Sequence, residues 1–408
     1  MSATEEFLGI APHFPSLVST FSERRALSNQ YPYSHPAYVA EEALLRKNLR
    51  LIKRVEEATG AKILVAFKAF AQWRLFPIFK EEGFDEAAVS SLFEARLAYE
   101  ELGKQGHAFS PAYTVEDFPY WKQYCSTITF NSCSQATQLL AHYPDSDRHY
   151  NLRINPGYSP VETALYNPAM PGSRFGVPAK ELQDSLPQGV DGLHFHLLCE
   201  GNSFQLEKIL SIVERDFEGI LKKVKRLNMG GGHFVTHPEY NLDHLVSVLR
   251  CFSQKYPWIE LTMEPGSAFA LGTGYLVSHV VDLVKHDGIA TAILDVSFTC
   301  HMPDCLEMPY QPAVRGAESL PLSFSSEKGV YRLGGNSCLS GDYLGCWRFE
   351  KPLSIGDEVI FEDMLHYTMV KTTMFNGIAH PDLVLHKEDG SYQLLRHYDY
   401  DDYKQRMS

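Results

Sequence analysis

The stretch Ile63–Gln72, ILVAFKAFAQ, is a run of apolar and aromatic residues interrupted by one cation, Lys68. Its length and composition predict a buried strand. Just upstream, Glu41–Thr59 carries Leu45, Leu49, Ile52 and Val55 at helical spacing and stops at Gly60. Before that helix, YPYSHPAYVA (31–40) is a Pro- and aromatic-rich extended lead-in. Downstream, HAFS (107–110), STITF (126–130), YNLRIN (150–155), GLHFHLL (192–198), KRLNMGGG (225–232) and WIELTMEPG (258–266) read as further strands, with amphipathic segments between several of them. That alternation predicts an α/β fold, a (β/α)8 TIM barrel over residues 40–285, close to the usual size of roughly 250 residues. From Asp287 the pattern changes. GIATAILDVSFT (288–299) and DEVIFED (357–363) are β-branched and aromatic runs separated by Gly, Pro and Asp. They predict a second, mainly β domain built from 286–408, joined by 1–39.

Composition sets the outer limits. Of 408 residues, 50 are acidic and 37 basic, a formal net charge of −13, and no basic tract occurs. A nucleic-acid surface is therefore not expected, whereas a cationic small molecule fits the balance. The eight cysteines form no CxxC pair and no small-domain framework, which points to reduced thiols in a cytoplasmic protein. Nothing approaches the roughly 18 apolar residues of a membrane span.

Chemistry in such a barrel belongs at the carboxyl ends of its strands, where the loops converge. Lys68 reads two ways: a stem lying on apolar surface with its amine in water, or a desolvated amine ready to bond an aldehyde. Gly230, Gly231 and Gly232 follow a strand directly; they make a tight turn or let backbone N–H groups approach a phosphate. They are not a GxGxxG fingerprint. Glu264, in EPG, is a salt-bridged structural acid or the anionic partner of a pyridinium nitrogen. His194 and His196 alternate on one face, which admits half a metal site, local packing, or an imidazole stacked on a flat cofactor. The order of lysine before HxH argues against a metal-dependent hydrolase. Cys338 and Asp342 lie in the Gly- and Ser-rich GGNSCLSGDYLG (334–345), and Tyr367 precedes FNG (375–377). The thiol is either inert or a proton donor, and the phenol either fills a core hydrogen bond or binds phosphate.

Taken together, a lysine on the first barrel strand, a mid-barrel histidine, GGG, EPG, C-x-S-G-D and a late tyrosine form an ordered set. The set resembles the fold-type III, alanine-racemase-like pyridoxal-phosphate decarboxylases, which include the diaminopimelate and ornithine enzymes. NLRINPG (151–157) and SRFGVP (173–178) add further landmarks, and the match spans most of Tyr38–Gly377. Four departures stand out: HLLCE where the family has HxGS, EPGS for EPGR, Leu339 where an acid often follows the motif cysteine, and Ala88 near the place of an aspartate. The cation expected to hold phosphate is thus missing at Ser267. These departures, and LDVSFTCHMPDCLEMPYQP (294–312), resemble the carboxynorspermidine decarboxylase branch, which acts on carboxynorspermidine or carboxyspermidine.

The resemblance implies pyridoxal 5'-phosphate held by Lys68, with Glu264 opposite its ring nitrogen, Arg153 beside Glu264, and His196 against its face. It implies a phosphate held by Gly230, Gly231, Gly232 and Tyr367. Cys338 would return a proton to the α-carbon, reaching the site from the neighbouring subunit of a homodimer. A carboxylated polyamine needs acids for its cationic tail; Glu200 and Asp342, then Asp304 and Glu307, are the candidates. No metal is expected. The alternatives are a diaminopimelate- or ornithine-type decarboxylase, a metal-dependent barrel hydrolase, and a non-catalytic homologue. The last has no need for Lys68, Glu264 and Cys338 together.

Overall fold

The computed structural model describes residues 35–408, apart from 145–146, 183–184, 309 and 322–326. After strand β1 (Ala37–Glu41), the helix Glu42–Thr59 buries Leu45, Leu49, Ile52, Val55 and Thr59 on one face. Each fully buried Leu or Ile contributes roughly 1.5–3 kcal/mol. The helix ends where Gly60 turns left-handed at φ 69°, a conformation that costs a residue with a Cβ more than it costs glycine.

The barrel strands follow in order: β2 (Lys62–Ile63), β3 (Val65–Ala66), β4 (Ala87–Val89), β5 (Gly106–Phe109), β6 (Cys125–Phe130), β7 (His149–Arg153), β8 (Gly192–His194), β9 (Arg226–Asn228) and β10 (Glu260–Met263). All pair in parallel, each with its neighbour from β3 through to β10. β2 and β3 are two halves of one strand interrupted at Leu64. The first half pairs with β10 and the second with β4, so eight strands close into a ring. Leu64, Ala66 and Ala88 pack together inside it.

The second sheet holds β1, β11 (Gly274–His286), β12 (Ile289–Leu294), β13 (Ala317–Leu320), β14 (Val330–Gly334), β15 (Tyr343–Phe349), β16 (Glu358–Glu362), β17 (Asp382–His386) and β18 (Tyr392–Arg396). Ala37, Val39, Tyr275, Val277, Ile360 and Val384 form its core. β11 pairs antiparallel with β1, β12 and β16, β15 with β13 and β14, and β17 with β18, whereas β12 and β14 run parallel.

The chain thus divides into a barrel unit, Glu41–Thr273 with Leu365–Thr372, and a sheet unit containing the described residues up to Ala40, Gly274–Met364 and Thr373–Ser408. The sequence boundary at 285/286 moves to 273/274, because β11 pairs with β1, β12 and β16, all strands of the second sheet. Residues 365–372, placed with the β domain from sequence, belong to the barrel unit. Of the expected 1–39 segment, residues 1–34 lie outside the described residues. All eight cysteines are free. Among the described residues no helix is long and apolar enough to cross a membrane.

Candidate active site at the carboxyl end of the barrel

Lys68 stands in the turn immediately after β3. The turn is shaped by Ala69 and Phe70 N–H groups donating to the Ala66 carbonyl at 3.0 and 3.2 Å. Phe67 stacks on Phe76 and Phe70 on Phe79, so the residues on either side are anchored in apolar packing while the lysine between them stays open at the mouth. Its Nζ lies 3.1 Å from His196 Nε2.

The tautomer of His196 follows from its other neighbour. Gly231 N–H donates to His196 Nδ1 at 3.1 Å, so the ring proton sits on Nε2. An Nε2–H facing Lys68 makes a hydrogen bond only with a neutral amine. The electrostatics agree. Desolvation lowers the Lys68 pKa, Glu264 opposes that and Arg153 reinforces it, while desolvation and Lys68 push His196 down to about 3. Both the geometry and the direction of the Lys68 shift favour a free, nucleophilic amine at the mouth.

Glu264 follows β10 and is buried. Burial alone would raise its pKa, but its neighbours, His194 foremost, hold the carboxyl well below its ordinary range. His194 Nε2 and His196 Nδ1 lie 3.6 and 3.9 Å from Glu264 Oε2, close enough for polarisation but longer than hydrogen bonds. His194 stacks on Phe109 with ring centroids 5.3 Å apart. Arg153, also buried, is held between Phe109 and Phe175, 4.4 Å from each ring centroid, and donates to the His196 carbonyl at 3.2 Å. Desolvation brings its pKa down to about 9 against the pull of Glu264.

The glycine run is required by the mouth's own packing. A Cβ on Gly230, Gly231 or Gly232 would collide with the carbonyl oxygens of Phe195, Glu264 and Leu198 respectively. Gly230 and Gly232 also have φ of 67° and 81°. Gly266 is similarly confined: a Cβ there would meet Ala69 at 2.7 Å and the Tyr367 hydroxyl at 3.4 Å. Tyr367 N–H donates to the Ala69 carbonyl at 2.8 Å, which ties the late tyrosine to the lysine turn.

One acid escaped the sequence reading. Glu94 faces Lys68 electrostatically, with burial raising its pKa, and its Oε2 accepts from Ser90 N–H at 2.6 Å. The signal was there as S-x-x-E, Ser91 to Glu94, a helix-start pattern with no hint of the lysine opposite.

The remaining candidates are placed differently. Glu200 is exposed beyond β8 with φ 50°. Cys338, exposed, Asp304, half-buried, and Glu307, exposed, lie in the sheet unit. Cys338 N–H donates to Asn376 Oδ1 at 2.9 Å. Asp342 is buried, and its oxygens accept from Thr299 and Ser337 N–H groups at 3.0 and 3.1 Å. Its carboxylate holds the loop that carries Cys338, a structural task that the sequence reading, which assigned it to a substrate tail, did not include.

His194, His196 and Glu264 bring ligand atoms within 4.8 Å of one another, a set that also suits a divalent ion. In the present arrangement Gly231 N–H occupies His196 Nδ1 and Lys68 faces Nε2. A neutral amine for an aldehyde, a carboxylate kept ionised for a cationic ring nitrogen, and glycines that admit no side chain fit pyridoxal phosphate well. The comparison with known proteins decides between the two. The family described as pyridoxal-dependent decarboxylase, C-terminal sheet domain, matches residues 37–364. The chain belongs to the pyridoxal-dependent decarboxylases.

This decarboxylase is 46% identical to carboxyaminopropylagmatine decarboxylase of Synechocystis sp., over 91% of the chain and 95% of the relative. It is 36% identical to carboxynorspermidine/carboxyspermidine decarboxylase of Campylobacter jejuni, over 91% and 98%. The crystal structure of carboxynorspermidine decarboxylase with norspermidine, from the same organism, superimposes with a TM-score of 0.84, covering 92% of this chain and 100% of that one. The decarboxylase therefore uses pyridoxal phosphate as its cofactor and is a carboxy-lyase, which sets the metal-dependent hydrolase reading aside.

Proposed function

We propose that this decarboxylase removes carbon dioxide from a carboxylated polyamine, carboxynorspermidine or carboxyspermidine. The observation that carries the chemistry is the Lys68 amine 3.1 Å from His196 Nε2, in the same mouth as the buried Glu264 carboxyl. The substrate class rests on the kinship with the Campylobacter enzyme. When bound, pyridoxal phosphate supplies a sink for the electron pair left at the α-carbon as the bond to the carboxylate breaks. Lys68 would hold the cofactor through its aldehyde carbon. Glu264 keeps a proton on the ring nitrogen, Arg153 keeps Glu264 ionised, and His196 covers the ring face. Gly232 and Tyr367 would bind phosphate, a task in which Ser267 offers no cation; the Gly230 and Gly231 N–H groups, expected from sequence to share it, already donate to Asn228 and His196. Cys338 returns one proton to the α-carbon and is re-protonated from solvent. We place it in a homodimer, donated by the partner subunit, with Glu200, Asp304 and Glu307 available to the cationic tail.

The relative at 46% identity favours a second reading, a substrate with a guanidinium at the tail, carboxyaminopropylagmatine. Planar guanidinium calls for a bidentate carboxylate, whereas an ammonium does not. Carbon dioxide release from all three substrates, assayed side by side, tests both readings. Turnover with carboxynorspermidine or carboxyspermidine supports the first, and a kcat/KM at least about tenfold higher for the guanidinium substrate would transfer the proposal to the second. Turnover of diaminopimelate or ornithine alone would overturn both.

A further inference from the structure

Asn228, the last residue of β9, is buried at 5% exposure directly beneath Glu264. Both ends of its amide are occupied. Nδ2 donates to Glu264 Oε1 at 2.5 Å, and Oδ1 accepts from Gly230 N–H at 2.8 Å. The partners fix the amide's orientation, since an ionised carboxylate only accepts and a backbone N–H only donates. Glu264 N–H in turn donates to the Gly230 carbonyl at 2.7 Å. One side chain thus joins the carboxylate to the first glycine of the run.

Asn228 also faces the other way. It lines a cavity of about 630 Å³ at the amino end of the barrel, together with Glu86, His107, Thr127, Asn151 and Thr262. Barrels usually fill this space with stacked branched residues. Here the middle positions are amides and hydroxyls, and Asn151 Oδ1 is buried with no hydrogen-bond partner among the described residues. A Cβ on Gly192 would collide with that oxygen, so the glycine makes room for it. Such a lining suits water, which would compete for the lone pairs of Glu264 if it reached them.

We propose that Asn228 is a positioning residue for the decarboxylation: its amide orients the Glu264 carboxylate and closes it off from the polar cavity below. The proposal rests on Glu264 facing the cofactor's ring nitrogen. Asn228→Asp keeps the shape and the acceptor for Gly230 but replaces the donor with a second carboxylate, and two adjoining carboxylates raise each other's pKa. The cofactor-free enzyme should then bind pyridoxal phosphate about 10- to 100-fold more weakly, the scale of one lost charge-assisted hydrogen bond. The visible absorbance of the loaded variant should gain a pH-dependent transition absent from the parent, and kcat should fall with little change in KM. Asn228→Ala removes the donor without adding charge, so it should lose affinity and gain no such transition. The measurements are fluorescence titration of the cofactor-free protein, absorbance against pH, and thermal denaturation. An Asn228→Asp variant with the parent's affinity and spectrum overturns the proposal. So does a variant that loses only thermal stability. If the Asp variant does not fold, undiminished cofactor affinity in Asn228→Ala overturns it instead. Glu264→Gln is the benchmark: if it leaves spectrum and turnover unchanged, the role of Glu264 itself falls, whatever the Asn228 variants do.

Discussion

The backbone N–H of Gly231 determines where His196 keeps its proton, and through that ring it selects the neutral form of the Lys68 amine. The consequence is measurable. A lysine's ordinary pKa is 10.5 and burial lowers that of Lys68, so the fraction of free amine rises at lower pH than for a surface lysine. Capture of pyridoxal phosphate by the cofactor-free enzyme, followed by absorbance, should have its pH midpoint below 10.5, and a midpoint at the ordinary value would contradict a desolvated amine. Lys68→Ala should lose both the bound chromophore and turnover. Cys338→Ala should retain the chromophore and lose roughly 10²–10⁴-fold in rate, as expected for removing a general acid; unchanged turnover would take the thiol out of the reaction. Lys68, His196 and Glu264 were legible because each is a polar side chain set among apolar ones, Lys68 between Phe67 and Ala69, His196 between Phe195 and Leu197, and Glu264 after Met263. Glu94 and Asn228 were not. A carboxylate that caps a helix and an amide inside a strand look ordinary in sequence, and only folding shows what lies opposite them.

At the scale of elements, ionic contacts at the amino end of the barrel link strands that packing alone would leave polar. Glu86, just before β4, meets Lys62 of β2 at 2.5 Å and His107 of β5 at 2.9 Å. Burial acts against the charged form, but His107 and Lys62 prevail and bring the Glu86 pKa from 4.5 down to about 2. A depressed carboxyl pKa contributes stability that is present above the unfolded value and lost as pH falls through the folded one. Glu86→Gln should therefore cost roughly 1–3 kcal/mol near neutrality, a difference that shrinks between pH 4.5 and about 2 in denaturant titrations. A constant difference across that range would refute the assignment. Most barrel strands could be read from sequence as short apolar runs closed by turn residues. β4 could not, since Ala87–Val89 is too short to show a period. β11 misled, because GYLVSHVVDLVKH is as apolar at its start as a barrel strand, and only its register with β1, β12 and β16 assigns it to the other sheet.

For the molecule as a whole, the net charge of −13 should draw in a cationic substrate, an attraction that fades with added salt. kcat/KM should decline with ionic strength more than kcat does, and equal declines would argue against steering. If the partner subunit's Cys338 completes each site, mixing inactive Lys68→Ala and Cys338→Ala proteins should restore about a quarter of full activity, because half of the random dimers then hold one intact site. No recovery after subunit exchange would place all the groups in one chain. Two units of different class were legible from the change in pattern near Asp287; that residues 365–372 return to the barrel was not, since nothing local marks a segment's long-range neighbours. The interrupted first strand has a final implication. Because Lys62 and Ile63 must wait for Thr262 and Met263 before the ring can shut, a growing polypeptide carries its reactive amine through nearly all of barrel synthesis with no enclosure around it. Competence to capture the aldehyde should emerge late and abruptly during translation, when the last barrel strand arrives.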